Sequence, residues 1–143
     1  MTAYLIDENV LREFGARGNA NVRKWLATVD DADLRLSVVT LFEKRRGAEA
    51  LKRRDSQRSA ELLKAIAAAE KAFADRIIPV DAAVVEEWTR MLGAKNKDRW
   101  DMALAATARV HDLVLVTRNT KDFEGRGVRL LDPFRDPPFQ IEP

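Results

Sequence analysis

Four acidic side chains stand where apolar runs end or helical stretches begin. Asp7 closes Ala3-Tyr4-Leu5-Ile6, and Glu43 follows Leu36-Ser37-Val38-Val39-Thr40. Asp101 opens the helical stretch from Trp100 to Val110, and Asp122 follows Val114-Leu115-Val116-Thr117 by a short turn. If those runs are strands of one parallel sheet, all four carboxyls fall at its carboxyl edge, where open α/β folds bind ligands. Carboxylates gathered in one pocket repel one another unless a cation sits among them. A hard divalent ion, Mg²⁺ or Mn²⁺, prefers oxygen ligands and would relieve that repulsion.

Each acid also has a plain structural role open to it. Asp7 suits the N-cap of the next helix. Thr40-Leu41-Phe42-Glu43 matches a capping box, in which the glutamate reaches back to the cap's backbone N–H. Asp101 lies in a first helical turn, where the macrodipole favours a carboxylate, and Asp98 competes for that place. Asp122 can stabilise its own turn. Their joint placement, not any one of them, points to a site.

Other chemistries find less support. The chain has no cysteine and one histidine, which excludes thiolate and multi-histidine metal sites and leaves no Ser–His–Asp set. His111 reads as a structural residue at a helix C-terminus, and Trp25, Trp88 and Trp100 read as core or core-edge side chains. There is no glycine-rich phosphate loop. An aspartyl-phosphate enzyme would want a second aspartate two positions after Asp7, where this chain has Asn9.

The elements that must position these residues alternate. Strands are expected at 3–6, 34–39, 77–80 and 114–117, with a last one at 128–131. Helices are expected at 10–14, 21–29, from Thr40 through the basic segment, and at 59–74, 81–91 and 100–110. Val84, Val85 and Trp88 are expected to face inward from the helix that Asp81 caps, and residues 93–99 form a polar loop. Strands alternating with helices indicate an α/β fold with a mainly parallel sheet. From Asp132 the chain carries four of its five prolines, so residues 135–143 read as an extended C-terminal tail on a domain of residues 1–134.

A length of 143 residues suits one domain, and no run approaches the about 18 apolar residues of a membrane span. The N-terminus enters a strand directly, without a charged lead and apolar segment, so a cytoplasmic protein is expected. Net charge is only +2, so distribution matters more than balance. Lys44-Arg45-Arg46 and Lys52-Arg53-Arg54 place Arg45 and Lys52, or Arg46 and Arg53, two turns apart on one helix side. Lys95, Lys97 and Arg99 form a second group. Such a stripe can track a phosphate backbone; on its own it also reads as a solvated helix face.

Three segments together resemble PIN-domain ribonucleases, in particular the VapC-type toxins of bacterial toxin–antitoxin pairs. They are Tyr4-Leu5-Ile6-Asp7-Glu8-Asn9-Val10-Leu11, Ser37-Val38-Val39-Thr40-Leu41-Phe42-Glu43-Lys44-Arg45-Arg46-Gly47 and Asp101-Met102-Ala103-Leu104-Ala105-Ala106-Thr107-Ala108. Leu115-Val116-Thr117-Arg118-Asn119-Thr120-Lys121-Asp122-Phe123 and Ile78-Pro79-Val80-Asp81 continue the likeness, which spans residues 3 to about 134. The resemblance implies a three-layer α/β/α domain, an acidic Mg²⁺ pocket, endonucleolytic cleavage of RNA (tRNA or another structured RNA) and inhibition by a VapB-type antitoxin. It also implies a homodimer.

Carried over by position, Asp7, Asp101 and Glu43 are the metal-binding acids. Glu43, with Asn119 and Asp122 around the fourth acidic position, forms the catalytic set. Asn9 and Thr117 line the pocket, and Arg45, Arg46, Lys95, Lys97 and Arg118 are the candidate RNA contacts. Two departures stand out. Glu8 replaces a small hydroxyl residue of the usual motif, and Asn119 stands where many PIN domains have an acid, with Asp122 three residues on as its stand-in. Those departures motivate an alternative, a catalytically silent PIN-like module that binds RNA or a partner.

Overall fold

Short apolar runs build a sheet, and capped helices cover both of its faces. The computed structural model describes residues 2–143. In chain order it contains β1 (Tyr4–Ile6), α1 (Glu8–Leu11), α2 (Ala20–Leu26), β2 (Leu34–Ser37), α3 (Val38–Leu51), α4 (Ser56–Ala72) and β3 (Ile77–Ile78). There follow α5 (Ala82–Leu92), α6 (Arg99–Val110), β4 (Val114–Val116), β5 (Leu130–Asp132) and β6 (Phe139–Ile141). The sheet order is β3-β2-β1-β4-β5-β6. All neighbours are parallel except β6, which runs antiparallel to β5.

Successive strand residues face opposite sides of a sheet, and the core divides accordingly. Leu5, Leu115 and Leu130 pack with Ala103, Leu104, Ala105 and Ala108 of α6, with Trp88 and Met91 of α5 beside them. The small side chains of α6 let that helix lie close on the sheet. On the other face, Ile6, Leu36, Val116 and Leu131 pack with Val10, Val22, Trp25 and Phe73. The three-layer α/β/α architecture expected from the sequence is the one observed.

Helix α3 starts earlier than its sequence suggests. Val38 and Val39 have β-branched side chains that read as strand, yet they form the first helical turn. Ser37, the last residue of β2, is the N-cap, and its Oγ accepts from the Val39 backbone N–H at 3.0 Å. The expected capping box of Thr40 and Glu43 therefore does not form. Thr40 lies inside the helix, fully buried, with its hydroxyl lacking any hydrogen-bond partner. Glu43 is released from capping. Opposite stability effects are expected from the two hydroxyls. Ser37→Ala should cost about 1 kcal/mol of unfolding free energy. Thr40→Val keeps the shape and removes an unsatisfied polar group, so it should be neutral or stabilising by about 1 kcal/mol. Urea denaturation measures both, and a costly Thr40→Val would restore the capping box.

Two further expectations are corrected. The proline-rich tail does not stay an extended arm: residues 139–141 fold back as β6, with Leu130 paired to Ile141 and Asp132 to Phe139. On α5, Val84 is buried but Val85 is 42% exposed. The inward position one turn on from Val84 is taken by Glu87, buried and paired with Arg90 and Arg109.

Candidate active site

Strand register places one buried polar residue at the carboxyl end of each central strand. Tyr4 pairs with Leu34, Ile6 with Val116, and Val116 with Leu131. Continuing each ladder sets Ser37, Asp7, Thr117 and Asp132 side by side in one row, and all four are buried. The backbone confirms two steps of the row: Asp7 N–H donates to the Val116 carbonyl and Thr117 N–H to that of Leu131, both at 3.0 Å.

Asp7 is the best-fixed acid of the row. Its Oδ1 accepts from Glu8 N–H at 2.7 Å, the cap expected from the sequence. Its Oδ2 accepts from the Thr117 hydroxyl at 2.8 Å and more weakly from the Asn9 amide at 3.4 Å. Asn9 also donates to Thr117 Oγ1 and accepts from the Arg118 backbone N–H. Asn119 N–H donates to the same Thr117 hydroxyl oxygen at 3.1 Å. Structural cap and pocket carboxylate are thus one residue using two oxygens. Thr117→Val removes the hydroxyl from this hub while keeping its volume, leaving buried Asp7 and Asn119 N–H short of partners. A loss of about 1–3 kcal/mol is expected in denaturant unfolding. An unchanged midpoint would show the hub to be dispensable.

Glu43, on the second turn of α3, and Asp101, on the first turn of α6, face this corner from helices on neighbouring crossovers. Burial pushes the Asp7 carboxyl up from its ordinary value, and the bonds from Thr117 and Glu8 N–H only partly offset it. Glu43 is pushed up to about 7, by burial first and then by the charges of Asp7, Asp101 and Glu8. Asp101 is pushed up to about 6, again by burial first, then by Asp7, Asp122 and Asp98. Glu43 and Asp101 therefore both feel Asp7, and Glu43 feels Asp101 as well, while Asp7 itself is raised by burial and by Glu8 and lowered by Arg12. Asp122, exposed on the 3-10 turn Thr120–Asp122, joins these acids through Asp101. Asn119 precedes that turn with its side chain exposed. Asp98 takes a left-handed backbone (φ 55°) before α6 and makes no side-chain cap bond.

Among the described residues, no three carboxyl or imidazole groups stand close enough to enclose an ion without moving. The donor chemistry fits one nonetheless. The set is all oxygen, burial raises the proton affinity of all three acids, and the Asp7 charge adds to it at Glu43 and Asp101. A hard divalent cation supplies a counter-charge.

The candidate basic contacts are dispersed. Arg45 is paired with Glu70 of α4 and so is turned along the helix pair. Lys95 and Lys97 line a separate cleft with Met91, Asp98, Met102 and Arg126. Arg118 lies over the Phe134 ring, 4.6 Å from its centre. Arg46 is exposed on α3. Two cations not among those candidates border the acids: Lys44 Nζ donates to Glu8 Oε1 at 3.3 Å with its side chain only 17% exposed, and Arg12 lies 3.8 Å from Glu8 and lowers Asp7. Glu8 is thus held at the rim of the corner, partly exposed between Lys44 and Arg12, with its charge still felt by Asp7 and Glu43. Glu8 and Lys44 lie far apart in sequence, so no local pattern could have flagged the pair.

An aromatic cluster flanks the acids. The Phe42 and Trp100 rings are 4.9 Å apart and the Trp88 and Trp100 rings 5.9 Å, with the Arg99 guanidinium over Trp100. Trp25 is buried, and Trp88 and Trp100 are half-buried, in keeping with their reading as core and core-edge residues.

Known proteins are similar to this chain in sequence and fold. The plasmid stability protein StbB of Pseudomonas syringae pv. tomato is 30% identical over 140 residues, covering 91% of this chain and 97% of its own. Toxin FitB of Neisseria gonorrhoeae is 28% identical over 138 residues, covering 92% and 99%. The crystal structure of FitAcB from the same organism superposes with a TM-score of 0.77 at 28% identity, over 92% of this chain and 99% of that one. The PIN domain profile matches residues 4–126, a span that holds Asp7, Glu43, Asp101 and Asp122. With the fold, the row of strand-end residues and that match in agreement, the chain belongs to the PIN-domain family.

Proposed function

We propose that this protein is the toxin of a toxin–antitoxin pair and acts as a metal-dependent endoribonuclease. The observation that carries the reading is the gathering of Asp7, Glu43 and Asp101 at the carboxyl edge of the sheet, where burial raises all three and the Asp7 charge raises the other two further. It is supported by membership of the PIN-domain family and by the similarity to Toxin FitB. Asp7 and Asp101 hold Mg²⁺ or Mn²⁺, with Glu43 as the third acid. The ion, when bound, polarises the scissile phosphate and acidifies a water.

The remaining steps belong to side chains. Glu43 accepts the proton of the attacking water and releases it after cleavage. Thr117 and Asn9 fix the Asp7 carboxylate so that one oxygen stays directed at the pocket. Asp122 takes the fourth acidic place, with Asn119 beside it as a neutral hydrogen-bonding group. Lys44, Arg46 and Arg118 offset the repulsion between RNA and the acids.

A VapB-type antitoxin would inhibit by placing an arginine among the carboxylates, where it pairs bidentately and excludes the metal. Phe42 on α3 and Val85 on α5, 46% and 42% exposed, suit contact with a second copy of the chain in a homodimer. No helix among the described residues is long and apolar enough to cross a membrane, and the proposed substrate places the protein in the cytoplasm. Asn119 favours one alternative, a module that binds RNA without cutting it.

Cleavage of a panel of structured RNAs, tRNAs included, with Mg²⁺, Mn²⁺ or EDTA decides between them. Discrete, metal-dependent cuts support the nuclease. RNA binding with no cuts under any metal supports the silent module.

A further inference from the structure

Beside the acidic corner, and joined to it through Glu43, lies a cavity of about 280 Å³ whose apolar side the nuclease chemistry does not use. Leu62, Ala65 and Ile66 of α4 give it an apolar side, and Gly47 of α3 borders it. Its polar rim is the Glu8–Lys44 pair, with a carboxylate oxygen and an ammonium nitrogen 3.3 Å apart. Glu43 lines the same cavity, so whatever enters lies next to the reacting corner.

An ammonium donor beside a carboxylate acceptor is the complement of a nucleobase edge that carries a keto oxygen next to a ring N–H. Guanine and uracil have that edge, and guanine adds an amino group as a second donor to the carboxylate. Adenine and cytosine present the reverse order, an amino donor beside a bare ring nitrogen. Unpaired RNA bases are commonly read on this edge, with apolar side chains against the face of the ring. A peptide fits less well: an apolar side chain would leave the rim unused, and an arginine would meet Lys44.

Resting on the nuclease reading above, we infer that this cavity binds an unpaired keto base of the RNA, guanine above all, beside the bond that is cut. Glu8 and Lys44 are then specificity-determining residues, which gives the unusual Glu8 a role.

The test uses the full chain carrying Asp101→Asn, so that RNA survives, and oligoadenylates that contain one guanine, uracil or cytosine. Fluorescence anisotropy should show the guanine oligomer binding about tenfold tighter than oligoadenylate, with uracil between them. Lys44→Met and Glu8→Ser should each bring guanine to within about twofold of adenine, and Lys44→Arg should retain the preference. Gly47→Leu adds bulk at the cavity border, where a Cβ would meet no atom within 4 Å. It should weaken guanine binding without touching the ion pair. Thermal melts confirm that each variant is folded. In the cleaving protein, cuts should fall at a fixed distance from guanine or uracil. Binding without base preference, or a preference indifferent to all these variants, overturns the site alone and leaves the cavity to a protein partner. No RNA binding by any form overturns the nuclease reading as well.

Discussion

An Asp101→Asn protein is expected to lose cleavage by about a thousandfold, the usual cost of removing one charge-stabilising group from an active site, while its metal-free form becomes more stable. Both effects follow from the same placement. Asp101 sits half-buried on the first turn of α6, pushed up to about 6 by burial and by Asp7, Asp122 and Asp98. Asparagine keeps the shape and the helical position but removes one negative charge. Without metal, at pH 8, that removal relieves repulsion at a cost the folded wild type must otherwise bear. Discounted for the solvent that reaches the site, the gain is about 1 kcal/mol. With a divalent ion bound, the wild type recovers the difference and the variant does not. Cleavage assays with Mg²⁺, and denaturant titrations in EDTA and in Mn²⁺, read the two effects on the same preparations. A variant that cuts as well as wild type, or whose metal-free form is weakened, would remove Asp101 from the site.

The second large effect is a stability profile that runs opposite to ordinary acid denaturation. Glu43 rises from 4.5 to about 7 and Asp101 from 3.8 to about 6 on folding. The folded chain therefore holds these protons more tightly than the unfolded chain. Their contribution to stability is fully present below about pH 4, declines as pH rises, and is gone above about pH 7. The Glu43→Gln, Asp101→Asn double variant lacks both groups, so the difference between it and wild type isolates them from every other titration. A divalent ion replaces those protons. At a hundredfold excess over its Kd it should add about 2.7 kcal/mol at pH 8 and much less at pH 4, where protons compete. Melting temperatures across that range, with EDTA or Mn²⁺, measure it. A metal-free wild type that gains stability on the double variant as pH rises would refute the coupling of these acids.

Where sequence and structure agree, the signals were local. Leu5-Ile6 and Leu115-Val116 are buried on both faces and read as strands from composition alone. Asp81 caps α5 as expected, accepting from Val84 N–H, whereas Asp55, accepting from Arg58 N–H, starts α4 three residues ahead of the expected position 59. The acidic corner was legible for the same reason: Asp7 and Thr117 each end a strand, and register does the rest.

Most of the disagreements are tertiary in origin. Val38 and Val39 are the exception: they carry strand-forming side chains, but the Ser37 hydroxyl just before them caps the helix and ends the strand. The β6 strand has two exposed residues of three and lies among prolines, so it carries no alternation to detect. Arg45 counted toward a basic stripe until α4 brought Glu70 against it. Glu87 broke the apolar pattern of α5 because its charge is matched from α6 by Arg109.

The row at the sheet edge also sets when the protein can act. Asp7 belongs to the first strand, but the hydroxyl that holds it comes from Thr117, 110 residues later, and β4 must dock on β1 before the two meet. On a ribosome that adds about 5–20 residues per second, the first acid waits several seconds for its partner. A nascent chain, or one cut short anywhere before β4, holds Asp7 and Glu43 without the strand that joins them to the rest. Products that end before β4 therefore lack the assembled acidic corner and, on the function proposed above, would be inert.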